Sequence, residues 1–156
     1  MTQVSYGLLM FVPESDGLSV LLVHPGGPYW RNKDDGAWSI PKGLAGDGED
    51  GLDAAQREFF EETGLTPCGP FIELKAVKQK GGKLVHCWAF EGARAPLAPG
   101  GSTFELEWPP RSGKMARFPE VDRAELFTLE EARRKILASQ SGFLDQLVEA
   151  KRATQL

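Results

Sequence analysis

The sequence predicts an α/β sandwich built on a mixed β-sheet. Three observations predict it: two apolar runs near the N-terminus, a Gly-spaced loop opening into an acidic helix, and a later alternation of strand-like and helical segments. The resulting order is strands, helix, hairpin, loop, strand, helix. At 156 residues, 41% of them hydrophobic and 26% charged, the chain suits one domain, 1–156, with a sizeable core.

Residues 4–12 (VSYGLLMFV) and 18–23 (LSVLLV) read as central strands, separated by the turn-forming Pro13-Glu14-Ser15-Asp16-Gly17. Residues 24–36 form a polar, Pro/Gly-rich loop carrying Tyr29 and Trp30. Ala37 to Lys42 is a short extended piece, with Pro41 keeping Ile40 extended. A helix is expected over about 51–63, because Asp50 suits the N-cap, Asp53 adds charge to the first turn, and Gly64 suits the left-handed C′ position. On its wheel Leu52, Ala55, Phe59 and Thr63 form a packing side. Segments 71–79 and 83–90 flank Lys80-Gly81-Gly82 as a hairpin. The stretch 91–114 is rich in Gly, Pro and Ala around one strand-like piece, Thr103 to Trp108, and reads as a functional loop. Residues 124–128 are strand-like, 129–138 helical, and about 143–153 form a last helix.

The formal charge of −4 argues against a broad basic surface for duplex nucleic acid, while leaving room for a local basic pocket. Cys68 and Cys87 are too few for a disulfide framework or a zinc site. No apolar run approaches the ~20 residues needed to span a membrane, and the N-terminus lacks a secretory pattern. A reducing, cytoplasmic setting is the expectation.

Chemistry concentrates in the helix at 51–63. Glu58, Glu61 and Glu62 fall within an arc of about 100° on its wheel. Like charges at this spacing destabilise a helix by roughly 0.2–0.5 kcal/mol per pair, so the face is either merely solvated or binds cations. Gly43, Gly46, Gly48 and Gly51 space out a loop able to approach a phosphate or metal closely. Hard cations such as Mg²⁺ or Mn²⁺ take carboxylate and carbonyl oxygens and complete their shells with substrate phosphates. Water attack on a diphosphate linkage is the reaction class that follows.

Gly43, Glu49 and the run Arg57-Glu58-Phe59-Phe60-Glu61-Glu62-Thr63-Gly64-Leu65 together resemble the signature of the Nudix hydrolases, with its fixed Gly, Glu and Arg positions all matched. Phe59 departs from the aliphatic residue usual there, which should alter core packing and not ligands. The resemblance implies a Nudix-type α/β/α sandwich. It also implies that Glu58, Glu61 and Glu62 ligate metal or activate water, that the Gly43 carbonyl joins the shell, that Arg57 orients the glutamates, and that Glu49 supports them. A fourth glutamate often precedes a late strand in this family. Glu120, in Phe118-Pro119-Glu120-Val121-Asp122, stands in the equivalent place, with Glu105 and Glu107 as alternatives. Which glutamate is the general base stays open.

Lys42 is a candidate for contacting a substrate phosphate, or is a surface lysine. Trp30 and Trp108, with Tyr29 and Phe104, are candidates for stacking on a base, against simple packing. His24 and His86 read as structural, and Arg133, Arg134 and Lys135 as the polar face of a late helix. Trp38-Ser39-Ile40-Pro41-Lys42-Gly43 resembles the entry to the signature in Nudix branches that cleave diadenosine polyphosphates or trim RNA 5′ triphosphates. The expected substrate is a small nucleotide, diadenosine tetraphosphate or an NTP first. ADP-ribose, nucleotide sugars, RNA 5′ ends and a non-catalytic nucleotide sensor are the alternatives. Oligomeric state is not legible in the sequence.

Overall fold

In a computed structural model, which describes residues 3–154, strands β1 (Val4–Glu14) and β2 (Gly17–Pro25) form an antiparallel pair closed at Gly17 opposite Glu14. The outermost residues of the expected domain, 1–2 and 155–156, lie outside that description. β1 and β2 pair only near their turn, from Phe11 opposite Val20 outward. Beyond it they splay, and residues 39–43 enter the gap. Val23 exchanges backbone hydrogen bonds with Ser39 at 2.8 and 3.0 Å, the Leu8 N–H donates to the Pro41 carbonyl at 3.2 Å, and β3 (Lys42–Gly43) pairs with Tyr6 and Gly7 of β1. This insertion delivers Gly43 to the end of the sheet.

Helix α1 (Gly51–Thr63) follows, with its expected caps: the Asp50 carboxylate accepts from the Leu52 N–H at 3.1 Å, and Gly64 takes φ 79°. Next come β4 (Ile72–Glu73), β5 (Val77–Lys78) and β6 (Leu84–Glu91). The expected hairpin around 80–82 is present but interrupted, since β4 and β5 pair with different parts of β6 and residues 75–76 lie outside the pairing. β6 lies parallel to β1 over its whole length, Val4 opposite Leu84 through Phe11 opposite Glu91. β7 (Thr103–Glu107) and β8 (Met115–Pro119) form a separate antiparallel hairpin where only one strand-like piece was expected. The expected strand at 124–128 is longer: β9 runs from Val121 to Thr128 and pairs with β2.

The late helix is shorter than its periodicity suggests. α2 (Leu129–Lys135) begins with a reciprocal capping box between Thr128 and Glu131, but Ile136 is already extended. Trp38 is the reason, because its N–H donates to the Lys135 carbonyl and its carbonyl accepts from the Leu137 N–H, drawing the chain out of the helix. α3 (Ser141–Thr154) ends the described chain.

Among the described residues the main sheet has the order β4-β6-β1-β2-β9, with β3 on β1 and β5 on β6. The unbroken apolar run of β1 reflects burial on both faces. Leu8, Met10 and Val12 face α1, where Phe59 is fully buried and meets Phe90 edge-on at 5.2 Å. Leu9 and Phe11 face the opposite layer of Trp38, Ile136, Phe143, Leu144 and Leu147. Helices therefore cover both faces of a mixed sheet, the expected α/β/α sandwich. Phe59 in place of an aliphatic residue is absorbed in this packing, where a buried aromatic contributes about 1.5–3 kcal/mol. No helix among the described residues is long and apolar enough to cross a membrane.

Candidate active site

The carboxylate face of α1 looks onto the splayed end of β1 and β2, and Gly43 lies directly against it. A Cβ at Gly43 would stand 2.2 Å from the Glu58 carboxyl carbon. Only a hydrogen side chain leaves the Glu58 carboxylate and the Gly43 backbone this close.

Arg57 organises the acids. Its Nε and Nη2 donate to the two Glu49 oxygens at 2.9 Å each, Nη1 donates to Glu58 Oε1 at 2.9 Å and to Glu61 Oε1 at 3.5 Å, and Nη2 also reaches the Leu44 carbonyl at 3.1 Å. Glu49 additionally accepts from the Gly46 N–H at 2.9 Å. The Arg57 guanidinium, helped by that N–H, holds the Glu49 carboxyl down at about 2. Helix and Gly-spaced loop are thus tied into one unit.

Glu62 turns inward. Burial raises its carboxyl well above the usual range, and the neighbouring Glu58 carboxylate raises it further. Its Oε2 is buried with no hydrogen-bond partner among the described residues. Burial also lifts the Glu58 carboxyl, against the pull of Arg57. Lys42 stands beside both; burial lowers its ammonium, and the Glu62 charge partly offsets this. Among the described residues no three acidic, His or Cys side chains are gathered closely enough to make a complete cation cage, and Arg57 takes up oxygens of Glu58 and Glu61. The donor set nonetheless fits a hard cation: an orphaned carboxylate oxygen, a second carboxylate held off its preferred ionisation, and an accessible glycine backbone. Gly43, Glu58, Glu61 and Glu62 are the residues that would hold it, with Glu120 in reach of the same space.

Glu120 lies between β8 and β9 and lines three adjoining recesses. The first, of about 240 Å³, has walls from Trp30, Ile40, Val121 and Leu137 and carries Lys42 and Glu62 on its floor. The second, a polar groove of about 510 Å³, runs past Gly43, Arg57 and Glu58 to Gln79 and Lys83. The third, of about 230 Å³, lies between Tyr29, Trp30, Phe104 and Leu106. Trp30 lines both the first recess and the third.

Of the sequence candidates, Glu58, Glu61, Glu62, Arg57, Gly43, Lys42, Trp30 and Glu120 are brought to this end of the sheet. Glu105 and Glu107 are not: they sit on the exposed side of the β7–β8 hairpin, Glu105 beside Arg117 and Glu107 accepting from the Arg111 N–H. Trp108 is absent from the walls of the three recesses and packs edge-on against Tyr29 at 5.3 Å. Arg134 and Lys135 engage Asp35 and Asp34, anchoring the loop after β2, while Arg133 pairs with Asp145 of α3. Gln79 and Lys83 carried no local signal, because only the parallel pairing of β6 with β1 sets them beside the groove.

The model of the NUDIX domain matches residues 1–147. The chain belongs to the Nudix hydrolase family. These hydrolases act on nucleotide pyrophosphate bonds and generally work with divalent cations. The Nudix fold is shared with solved structures at low identity. The NUDIX domain of Shewanella oneidensis NrtR, complexed with ADP ribose, is 16% identical, with a TM-score of 0.71 over 96% of this chain and 88% of that one. An Ap4A hydrolase of C. elegans is 19% identical, with a TM-score of 0.67 over 96% and 98%. The MutT protein from Methanosarcina mazei Go1 is 17% identical, with a TM-score of 0.61 over 96% of each chain. Among curated proteins no significant match was found.

Proposed function

We propose that residues 1–156 form one Nudix domain that hydrolyses a diphosphate linkage in a nucleoside polyphosphate, with diadenosine tetraphosphate or an NTP as substrate and Mg²⁺ or Mn²⁺ as cofactor. The observation that carries this reading is the convergence of an apolar, Trp30-walled recess and a long polar groove on Glu120. A base stacks on the indole in the first; a phosphate chain lies in the second, passing the α1 carboxylates toward Lys83. The similarity to an Ap4A hydrolase over nearly all of both chains supports the same choice.

A bound divalent cation would polarise a phosphoryl oxygen and lower the pKa of a water. The residues of the chain supply the rest. Glu58, Glu61, Glu62 and Glu120 offer the oxygens that hold it, and the Arg57–Glu49 pair keeps Glu58 and Glu61 in place. A carboxylate of this set takes the proton of the attacking water as its oxygen bonds to phosphorus, and the P–O anhydride bond breaks with its electrons leaving on the departing phosphate. Trp30 and the walls around it exclude water from the base.

The test is a hydrolysis screen with Mg²⁺ or Mn²⁺ over NTPs, diadenosine polyphosphates, ADP-ribose, nucleotide sugars and 5′-triphosphorylated RNA, with products resolved by chromatography. Turnover of diadenosine tetraphosphate or an NTP, abolished by EDTA, is expected. The NrtR domain was solved complexed with ADP ribose; the second reading is a sensor that binds such a nucleotide without hydrolysing it. Binding without turnover across the panel would move the assignment there.

A further inference from the structure

His24, near the end of β2, is fully buried, and none of the roles above uses it. Its Nδ1 lies 2.8 Å from Asp122 Oδ1 and its Nε2 2.6 Å from the Lys33 carbonyl oxygen. The Lys33 carbonyl can only accept, so Nε2 donates to it, and Nδ1 shares the other hydrogen bond with the Asp122 carboxyl. The ring also packs edge-on against Trp38 at 5.1 Å.

The two partners neighbour residues that line the Trp30 recess, Lys33 three positions after Trp30 and Asp122 directly after Val121. The Lys33 N–H donates to the Trp30 carbonyl at 2.9 Å, so the residue whose carbonyl His24 holds also closes the turn that begins at Trp30. Asp122 stands two residues beyond Glu120, at the start of β9. The other end of the loop is fastened to the same place, because the Gly26 N–H donates to the Glu120 carbonyl at 2.9 Å. A Cβ on Gly26 would lie 2.0 Å from the Pro119 carbonyl oxygen, which shows how tightly the two backbones press together. The loop is therefore pinned at Gly26 and at Lys33, and Tyr29 and Trp30 stand exposed between the pins. A pinned aromatic wall spares a ligand the cost of ordering it.

We propose that His24 is a positioning residue for substrate binding: by hydrogen-bonding both Asp122 and the Lys33 carbonyl, it locks the Trp30 turn against the strand that follows Glu120. This role rests on the nucleoside polyphosphate reading above, since it is the stacked base that the fixed indole serves.

The Gln amide reaches the place of Nε2 and the Asn amide that of Nδ1, so His24→Gln keeps the donor to Lys33 and His24→Asn loses it. Both variants remove the ring from the core and lower stability alike. His24→Asn is expected to raise KM for diadenosine tetraphosphate about ten-fold, and His24→Gln by less than about two-fold, with kcat in both within about two-fold of the parent. In protein labelled with 5-fluorotryptophan, the Trp30 resonance, assigned through Trp30→Phe, should move in His24→Asn and stay in His24→Gln. Equal KM values and an unmoved Trp30 resonance in both would make His24 a core histidine only and overturn the proposal. Should the parent turn over no nucleotide, the substrate reading falls, and the fluorine resonance alone judges the positioning. Should neither variant fold, nitrogen NMR of the parent decides: a slowly exchanging proton on His24 Nε2 supports the bond to the Lys33 carbonyl, and its absence overturns the proposal.

Discussion

Arg57 grips Glu49 through two parallel hydrogen bonds of 2.9 Å, Nε to Oε2 and Nη2 to Oε1, and this leaves its Nη1 directed at Glu58. Glu49 is not among the residues lining the polar groove, yet through Arg57 it sets where Glu58 lies. The planar guanidinium suits this bidentate arrangement, which a lysine could not reproduce.

Glu49→Gln should therefore lower kcat/KM by about ten-fold, as loss of a supporting partner does. It should also change acid stability. The Glu49 carboxyl sits at about 2 in the folded chain against an ordinary 4.5, so the native state binds fewer protons than the unfolded chain between those values. Its stabilisation is present above about 4.5 and is lost as pH falls toward about 2. Melting temperatures followed through that window should fall more steeply for the parent than for Glu49→Gln. Parallel curves would remove Glu49 from this account.

Glu62 has the opposite sign. Burial raises its carboxyl, so the folded chain binds the proton more tightly than the unfolded one, and stability declines as pH rises above the ordinary carboxylate value. Without metal at about pH 8, Glu62→Gln should melt higher than the parent, whereas added Mg²⁺ should stabilise the parent and leave the variant unmoved. Hydrolysis should drop at least ~100-fold in Glu62→Gln and in Glu58→Gln. A Glu62→Gln protein that still gains stability from Mg²⁺ would place the cation elsewhere.

Gly43→Ala tests the contact between loop and helix. Its Cβ would meet the Glu58 carboxyl at 2.2 Å, so activity should fall by about 100-fold while the fold persists. Because the conflict is with a side chain, adding Glu58→Ala should restore most of the lost stability and none of the activity, a non-additivity that a thermal-melt double-mutant cycle measures. Additive losses would mean that Gly43 serves the backbone only.

The two tryptophans separate stacking from packing. Trp30→Ala should raise KM about ten-fold for a nucleotide substrate, in line with the ~1–3 kcal/mol of a stacked base. Trp108→Ala removes the edge contact with Tyr29 and should lower stability while moving KM by less than about two-fold. Steady-state kinetics on both variants distinguishes them, and the reverse pattern would put the base beside the β7–β8 hairpin.

Local chemistry is what the sequence by itself determined. The spacing of Asp50, Phe59, the three glutamates and Gly64 suffices for a capped helix with one packed and one acidic face, since caps and periodicity act within a few residues. The doubly buried β1 and its partner β2 were legible for the same reason. The tertiary structure decided what depends on distant partners. Trp38 ends α2 three residues early, because its own backbone groups take the hydrogen bonds a longer helix would use. The β8 strand exists only opposite β7, and that pairing sends Glu105 and Glu107 outward while leaving Glu120 at the meeting point of the recesses. Parallel pairing of β6 with β1 brings Lys83 to the groove from across the chain. His24 looks like any strand-end histidine until Lys33 and Asp122 converge on its two nitrogens, for a side chain's partners are set by the fold and not by its neighbours in sequence.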